Sequence, residues 1–348
     1  MSKYKIVEAD LAANRQDIVN LMSRNAPEKC DQEARFEWLY RRNPNGSPKC
    51  FLVKEIEKGT YVGCGTVFPR RIVLDGKTVM AGIVGDTMVD KNHRTLGPAL
   101  MLQRRIMQEC TENSLAFIYG VPNEFSEVVN VRLGYKVIGR FVRMVRYLRS
   151  EQLIARFANN LIARVVSVPL DGLLYLGLLS WGKSRGLGNI KCDFSDHFGE
   201  DFNALWKNTA RQEAITGERT DGFLGWRYGS HPSKKFEVFT AKREKEGLLG
   251  YIVFTLENGD AHIYDMIGGD FDSVILDMFL QECRKTKGVN AVTVDVLEGS
   301  RTMKKLERKL FLKRKGGLSL VLYCDGAKSQ AVYGAAENWQ ILCGDTDE

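Results

Sequence analysis

Residues 89–99 carry the residue types that bind phosphate. The stretch runs Val-Asp-Lys-Asn-His-Arg-Thr-Leu-Gly-Pro-Ala, so the basic Arg94 and the small Gly97 and Ala99 lie where an extended apolar segment gives way to a helix. The first turn of a helix presents unpaired N–H groups and a positive dipole end, and a small residue lets the backbone approach an anion closely. The stretch predicts a phosphate-binding turn, with an ordinary strand-to-helix turn as the alternative.

Apolar segments on both sides of this turn predict the elements that position it. Residues 81–89 form a short apolar run bounded by turn residues, which is typical of a buried strand. Residues 98–110 predict an amphipathic helix, and Pro98 stands in its first turn, where the missing N–H costs no hydrogen bond. The apolar face of that helix consists of Ala99, Leu102, Ile106 and Cys110. A second apolar strand is predicted over residues 115–120.

A second motif follows this strand, namely Asn123-x-x-Ser126-x-x-x-Asn130-x-x-x-Gly134-Tyr135. It resembles the pattern Asn-x-x-Ala-x-x-x-Tyr-x-x-x-Gly-(Phe/Tyr) of the GCN5-related N-acetyltransferases (GNAT). Arg94-x-x-Gly97-x-Ala99 resembles the (Arg/Gln)-x-x-Gly-x-(Gly/Ala) loop with which that family grips the pyrophosphate of acetyl-CoA. Two motifs in the right order, separated by a strand, rarely occur by accident. The resemblance covers residues 1–150 and implies the family's fold for them.

The resemblance implies acetyl-CoA as acyl donor and assigns its contacts. Pantetheine would pair with the strand before the loop, at Met88, Val89 and Asp90. The pyrophosphate would contact Arg94, Thr95, Leu96, Gly97, Pro98 and Ala99, although Pro98 offers no N–H. From the second motif, Asn123, Ser126 and Asn130 complete the donor site. No metal is expected.

The implied chemistry is transfer of an acyl group to an amine, which needs a base and a proton donor. Asp86, on the strand before the loop, is the first candidate base, and Glu124 is the second; a structurally bonded or solvated carboxylate is the alternative for Asp86. The family's proton donor is a tyrosine of the second motif, but Asn130 occupies that position here. Tyr135, Tyr119 or water would have to replace it.

An internal repeat is visible in the order of short patterns. Trp38-x-Tyr40-x-x-x-Pro44 corresponds to Trp226-x-Tyr228-x-x-x-Pro232, and each is followed by a short strand. Further hairpins are predicted at Asp75-Gly76 and Asn258-Gly259, the dipeptides that accept positive φ at both central positions. We therefore expect an α/β (α+β) fold of two tandem GNAT-like modules, each a mixed, mostly antiparallel twisted sheet flanked by helices.

The second module lacks the phosphate-binding loop. At the corresponding place stands Gly268-Gly269-Asp270-Phe271-Asp272-Ser273, where two acidic side chains would repel a pyrophosphate and Asp272 or Ser273 is expected to cap a helix. The predicted division is a CoA-binding domain at 1–150, an apolar helical linker at 151–195, a GNAT-like domain without the loop at 196–325, and a tail at 326–348 whose acidic end should be flexible.

Composition limits the class of protein and its partners. The chain has 348 residues, 44% hydrophobic residues and a net charge of +7, which suits two folded domains and an anionic small partner but argues against nucleic acid. Eight cysteines without a C-x-x-C pair, and an N-terminus without a secretory core, predict a cytoplasmic location. Residues 160–185 are apolar with basic flanks, so they either pack between the modules or touch the inner membrane face.

The leading hypothesis is a CoA-dependent N-acyltransferase, with acetyl transfer to an amine. The Trp-x-Tyr-x-x-x-Pro pattern ahead of Gly120-Val-Pro-Asn123 resembles tandem acetyltransferase-like proteins of bacterial surface polysaccharide assembly, which implies an amino sugar acceptor. The alternatives are a binding or regulatory protein that has lost turnover, and an aminoacyl transferase that uses charged tRNA. The sequence leaves the oligomeric state open.

Overall fold

The computed structural model describes residues 2–26, 31–113, 115–149, 190–210, 215–326 and 334–347. The linker predicted at 151–195 lies outside the described residues as far as residue 189, and so does the candidate membrane-contact segment 160–185. From Ile190 to Ser195 the chain forms a strand, so the expectation of helix is wrong for these last residues. None of the described helices is both long enough and apolar enough to cross a membrane.

The described residues form strands and helices in an alternating α/β order. The strands are β1 (Tyr4–Glu8), β2 (Lys49–Glu55), β3 (Tyr61–Leu74), β4 (Lys77–Val89), β5 (Ile118–Gly120), β6 (Lys136–Tyr147), β7 (Ile190–Ser195), β8 (Ile215–Gly217), β9 (Glu237–Arg243), β10 (Gly247–Glu257), β11 (Asp260–Ile267), β12 (Ala291–Leu297), β13 (Leu312–Tyr323) and β14 (Trp339–Gln340). The α-helices are α1 (Arg15–Asn25), α2 (Gln32–Phe36), α3 (Leu96–Glu112), α4 (Glu124–Arg132), α5 (Glu200–Thr209), α6 (Asp221–Leu224), α7 (Asp272–Lys285) and α8 (Arg301–Arg308).

All of these strands belong to one mixed, mostly antiparallel sheet, which confirms the expected fold class. Its main path runs β1-β2-β3-β4-β5-β13-β6-β12-β11-β10-β9-β7, with β8 and β14 paired beside β3. The parallel pairs are β4 with β5, β11 with β12, and β8 with β14. The two halves of the chain therefore share one continuous sheet instead of building two separate ones.

The halves exchange one strand each, β6 and β13, at the centre of this sheet. Strand β13, from the second half, pairs with β5 on one side and β6 on the other. Strand β6, from the first half, pairs with β12 over the register from Phe141↔Leu297 to Tyr147↔Ala291. Each half thus contributes a strand to the other half's part of the sheet.

Helices cover the first half of the sheet on both faces. Along β2, Phe51 and Val53 pack in a cluster with Leu102 and Ile106 of α3, while Leu52 belongs to a different cluster that includes α1. This alternation follows from the opposite direction of successive strand side chains. Leu102, Ile106 and Cys110 are buried, as the amphipathic pattern of residues 98–110 predicts.

The two predicted hairpin turns are confirmed. Asp75 and Gly76 join β3 to β4 with φ of 48° and 76°, and Asn258 and Gly259 join β10 to β11 with φ of 53° and 82°. Positive φ at both central residues gives the turn a twist that matches the strands, and glycine adopts it without a Cβ penalty.

The repeated Trp-x-Tyr segments contact each other directly. Each forms a π-helical turn, at Glu37–Arg41 and Gly225–Gly229. The Trp38 and Trp226 rings stack with centroids 5.1 Å apart, and the Nε1–H of each donates to the backbone carbonyl of the other at 2.9 Å. The repeat therefore forms a pseudo-twofold contact that joins the two halves through their corresponding residues.

A buried ionic cluster fastens residues 334–347 to both halves. Asp345 accepts from Arg70 of β3 at 3.0 Å and from Arg219 at 2.6 Å, and all three side chains are at most 4% exposed. Arg219 also binds Asp265 of β11 at 2.9 Å. The expectation of a flexible acidic end is therefore wrong for these residues, because Asp345 is held by ion pairs to two buried arginines.

Asp345→Asn should lower the free energy of unfolding by about 3–5 kcal/mol, because it leaves Arg70 and Arg219 buried without their shared anion. Urea denaturation monitored by tryptophan fluorescence measures the loss. Asp196→Asn is the matched control, since its side chain is 91% exposed, and should change stability by no more than about 0.5 kcal/mol. An Asp345→Asn variant as stable as the control would contradict the structural role of the cluster.

His231 should make stability fall in mild acid. Its ring lies 4.5 Å from that of Trp38, its Nδ1 accepts from the amides of Ser233 and Lys234, and burial, followed by Arg227, lowers its pKa from 6.5 to about 3. The unfolded chain therefore binds a proton at higher pH than the folded one, so stability is complete above pH 6.5 and is lost as the pH falls towards 3.

The measurement compares the urea midpoint at pH 7.5 and pH 5.5 for the parent and for His231→Asn. An asparagine Oδ1 can accept the same two amides but does not titrate in this range. The midpoint should fall more for the parent than for the variant. Equal decreases would assign the acid sensitivity to other groups.

Candidate functional site

A cavity opens where the parallel strands β4 and β5 separate. Their pairing ends at Ile83↔Tyr119, although β4 continues to Val89. The cavity between the two strand ends measures about 260 Å³ and is lined by residues 84–88 and 120–123, among others. Backbone groups of the diverging strands are thereby released from the sheet ladder and become available to a ligand.

The structure brings together six of the fifteen residues predicted for the site. Those that line this cavity are Asp86, Met88, Asn123, Ser126, Asn130 and Tyr135. Those outside the cavity are Val89, Asp90, Arg94, Thr95, Leu96, Gly97, Pro98, Ala99 and Glu124. Glu124 is an exposed residue at the start of α4, so its carboxylate faces solvent beside the cavity mouth.

The start of α3 has the features of an anion site. Thr95 is the N-cap residue, but its side chain makes no capping hydrogen bond, so the first-turn amides lack that partner. A Cβ placed on Gly97 would meet nothing within 4 Å, which leaves open space over the first turn. The Thr95 amide is itself bound to His93, so Leu96 and Gly97 supply the remaining first-turn N–H groups ahead of Pro98.

Arg94 and Asp90 hold the loop in position. The Arg94 Nε donates to the Val89 carbonyl at 2.8 Å and its terminal nitrogen donates to Asn25 at 3.0 Å. Asp90 accepts from Asn25 and Arg24. These contacts tie the turn to the end of α1, so Asp90 and Arg94 fix the shape of the loop.

Asp86 is part of a buried network. It accepts from Arg35 at 2.8 Å and from the Tyr40 hydroxyl at 3.0 Å, and its side chain is 7% exposed. Burial opposes the charge of Arg35, but Asp86 and then Asp347 outweigh it and raise the pKa of the guanidinium. Burial, and then Asp86, raise the pKa of Tyr40, which keeps its hydroxyl a donor. Both oxygens of Asp86 therefore already have hydrogen-bond partners.

Asp265 shows the same bonding in the second half of the chain. It accepts from Arg219 at 2.9 Å and from the Tyr251 hydroxyl at 3.0 Å, as Asp86 accepts from an arginine and a tyrosine. This second network occurs in the half that has no phosphate-binding loop. A buried aspartate paired with arginine and tyrosine thus has a structural role that does not require the donor site.

A second carboxylate, that of Asp347, enters the cavity from the C-terminal segment. Asp347 lines the cavity, and its backbone carbonyl accepts from Arg35 at 3.1 Å. Its side chain packs so closely on Gly85 that a Cβ there would lie 2.5 Å from Oδ2. Asp347 was not predicted from the sequence, because the tail carries no motif. Its position follows from the buried ion pairs of Asp345, which stands two residues before it.

The candidate proton donors differ in their surroundings. Tyr135 lines the cavity, its hydroxyl donates to Gln103 at 3.3 Å, and burial raises its pKa. Tyr119 donates instead to the Asp345 carbonyl at 2.9 Å, away from the cavity. Asn130 is 3% exposed and lines the cavity, and within the described part of the chain its Oδ1 has no hydrogen-bond partner.

The corresponding turn of the second half is closed. A Cβ on Gly268 would lie 2.5 Å from Ile275 Cδ1, so the turn is packed directly against a side chain of α7. The helix begins at Asp272 with Phe271 as its N-cap, one residue before the predicted cap, and Asp272 binds Lys305 at 2.7 Å. The acidic turn is therefore used in helix packing.

Comparison with known proteins agrees with this geometry. Residues 15–138 match the family described as "Acetyltransferase (GNAT) domain". No curated protein shows significant similarity to the sequence.

Solved structures resemble the chain over most of its length. A GCN5-related N-acetyltransferase from Anabaena variabilis has a TM-score of 0.66 at 13% identity, over 92% of this chain and 72% of that one. A probable N-acyltransferase of unknown function from Enterococcus faecalis has a TM-score of 0.66 at 11% identity, over 94% and 74%. The Saccharomyces cerevisiae N-myristoyltransferase with bound myristoyl-CoA has a TM-score of 0.54 at 14% identity, over 93% and 79%. At these identities the similarity establishes the fold.

Proposed function

We propose, since residues 15–138 belong to the acetyltransferase (GNAT) domain family, that the protein transfers an acyl group from acyl-CoA to an amine. The observation that carries the proposal is the open N-terminus of α3, which follows β4, the strand that lines the cavity through residues 84–88. The N-terminus of α3 would hold the diphosphate of CoA, and the cavity would hold its thioester. The second half of the chain, whose turn is closed by Ile275, would hold no donor.

Asn130 supports a ligand with N–H groups in the cavity. Its buried Oδ1 has no partner among the described residues, and a buried unpaired acceptor is costly. The amide N–H groups of a pantetheine arm are donors of the right type. Binding of acyl-CoA would therefore satisfy a polar atom that the polypeptide leaves unsatisfied.

The reaction requires one proton to leave the amine and one to reach the sulfur. The neutral amine attacks the thioester carbonyl, the amide bond forms, and the carbon–sulfur bond breaks. Asp347 is a further candidate base beside Asp86, since it lines the same cavity and its carboxylate packs against Gly85 of β4. Asp86 and Arg35 would then position the backbone of Asp347.

Tyr135 is the candidate proton donor to the departing thiolate. Its hydroxyl carries a proton and lies in the same cavity as Asn130. Asn130 itself has no acidic proton, so its role would be confined to binding. An acetyl group as the transferred chain and an amino sugar as the acceptor remain the finer forms of this proposal, and a series of acyl-CoA donors and amines would test them.

Gly97→Asp should weaken the binding of CoA at least tenfold, or about 1.4 kcal/mol, because a carboxylate would occupy the open space over the α3 amides and repel phosphate. Titration calorimetry with the full chain measures the dissociation constant. Gly222→Asp is the matched control, since Gly222 is also the second residue of a helix and a Cβ there meets nothing within 4 Å. Its affinity should equal that of the parent.

The calorimetric result decides the proposal. Parent protein that binds neither CoA nor acetyl-CoA contradicts it, and so does equal binding by parent and Gly97→Asp. Binding of CoA without any transfer to a panel of amines would favour the alternative of a binding protein.

Asp347→Asn should lower kcat by about 10²–10⁴-fold at neutral pH while the protein stays folded, because the cavity loses its candidate base. Raising the pH should restore part of the rate, since the amine then loses its proton in solution.

Asp86→Asn should instead lower the free energy of unfolding by about 3–5 kcal/mol, because Arg35 is left buried without its partner. Full activity of Asp347→Asn would return the role of base to Asp86 or Glu124.

A further inference from the structure

A group of metal-binding side chains lies outside the acyl site, in the second half of the sheet. It consists of His262 on β11, Asp295 on β12 and Cys343 in the C-terminal segment, and one donor atom from each lies within 4.8 Å of the other two. The His262 Nε2 is 3.8 Å from Asp295 Oδ2, and the Cys343 Sγ is 3.9 Å from the same oxygen. Among the residues that the structure describes, no other such group is found.

These separations are close to those around a tetrahedral zinc ion. With Zn–N, Zn–O and Zn–S bonds of about 2.0–2.3 Å, neighbouring donor atoms lie about 3.3–3.7 Å apart. The two separations to Oδ2, at 3.8 and 3.9 Å, would need to shorten by only a few tenths of an ångström, and the third, which is within 4.8 Å, by up to about an ångström. Side chains that are partly buried on a sheet and a short turn can make such a shift without a change of backbone.

The surrounding residues orient the histidine and the carboxylate. The His262 Nδ1 shares a 2.7 Å hydrogen bond with the Thr293 hydroxyl, which leaves Nε2 directed at Asp295. Arg143 donates from Nε to Asp295 Oδ1 at 2.8 Å and from its terminal nitrogen to Oδ2 at 2.7 Å. Ligating imidazoles and carboxylates usually carry such outer hydrogen bonds, which fix the tautomer and ring orientation.

Arg143 competes with a cation for Oδ2 but does not close the site. Its side chain is 53% exposed, so the terminal nitrogen can turn to solvent while Nε keeps its bond to Oδ1. The carboxylate would then bridge the metal and the guanidinium. The charges of a thiolate and a carboxylate balance those of a divalent ion, and Arg143 adds one positive charge at the edge.

We propose that His262, Asp295 and Cys343 form a binding site for a borderline-soft divalent ion such as Zn²⁺. Imidazole, thiolate and carboxylate together are the donor set that such ions prefer. A cavity of about 360 Å³, lined by His262 and Thr293, adjoins the site, and water from it supplies the fourth ligand. The Cys343 thiol passes its proton to solvent as the metal–sulfur bond forms.

The site would fasten the C-terminal segment at a second point. Cys343 precedes the buried Asp345 by two residues, and Asp347 follows at the acyl cavity. A metal bridge from Cys343 to β11 and β12 would hold this segment on the second half of the sheet, as Asp345 holds it on Arg70 of the first half. The inference stands independently of acyl transfer, since none of its ligands lines the acyl cavity.

Titration of the reduced, full-length protein with Co²⁺ tests the site through absorption, because a cobalt–thiolate bond gives an intense charge-transfer band in the near ultraviolet. The parent and Cys192→Ser should develop the band to one equivalent, whereas Cys343→Ser should not. Cys192 is a suitable control because it is also partly exposed and not in a disulfide. Zn²⁺ should abolish the band by displacing Co²⁺.

Thr293→Val should keep the band but weaken Co²⁺ binding by about 10–100-fold, since the histidine loses its orienting partner. Should Cys343→Ser fail to fold, His262→Gln is measured in its place. Together with Thr293→Val, this variant keeps the result interpretable. No band with the parent overturns the proposal. An unchanged band in Cys343→Ser, or its loss in Cys192→Ser, also overturns it by assigning the thiolate to another cysteine.

Discussion

The Asp345 carboxylate, placed between Arg70 and Arg219, is the contact on which the arrangement of the molecule depends. It joins a strand of the first half, the residues just before α6 in the second half and the C-terminal segment in one buried region. Burial opposes the charge of Asp345, but Arg219 and Arg70 together outweigh it and lower the pKa of this carboxyl, so the charge is kept. A buried charge that loses its partner is strongly destabilising, so these ion pairs fix the position of the C-terminal segment. Asp347 is thereby placed beside Gly85.

Comparison of the two repeated halves distinguishes the residues that maintain the fold from those that differ in chemistry. Asp86 and Asp265 each bind an arginine and a tyrosine, and Trp38 and Trp226 bind each other in the same way from both sides. These shared features maintain the fold in both halves. What differs is the turn after the equivalent strand, which is open at Gly97 and filled by Ile275 at Gly268. A difference in chemistry between the halves therefore arises at a helix terminus and not in the common scaffold.

Local patterns predict a large part of this structure. The α3 helix and both hairpin turns follow from spacing within short segments, whereas Asn130 and Tyr135, which line the cavity, were indicated by the resemblance of the second motif to the GNAT pattern. The roles of Arg35, Asp345 and Asp347 do not, since each acquires its partners from residues far away in the chain. His262, Asp295 and Cys343 likewise have no local motif. The pairing of β13 with β5 has no signal at all, because strand pairing depends on the whole sheet.

The exchange of β6 and β13 affects how the molecule reaches its folded state. Strand β5 is only three residues long and has β13 as its neighbour on one side, so the first half exposes an unpaired edge until residue 323 has left the ribosome. Contacts between residues this distant close slowly, and an exposed edge invites pairing with other chains in the meantime. Synthesis of the first half alone would yield a partial sheet prone to aggregation, so the two halves are a single folding unit.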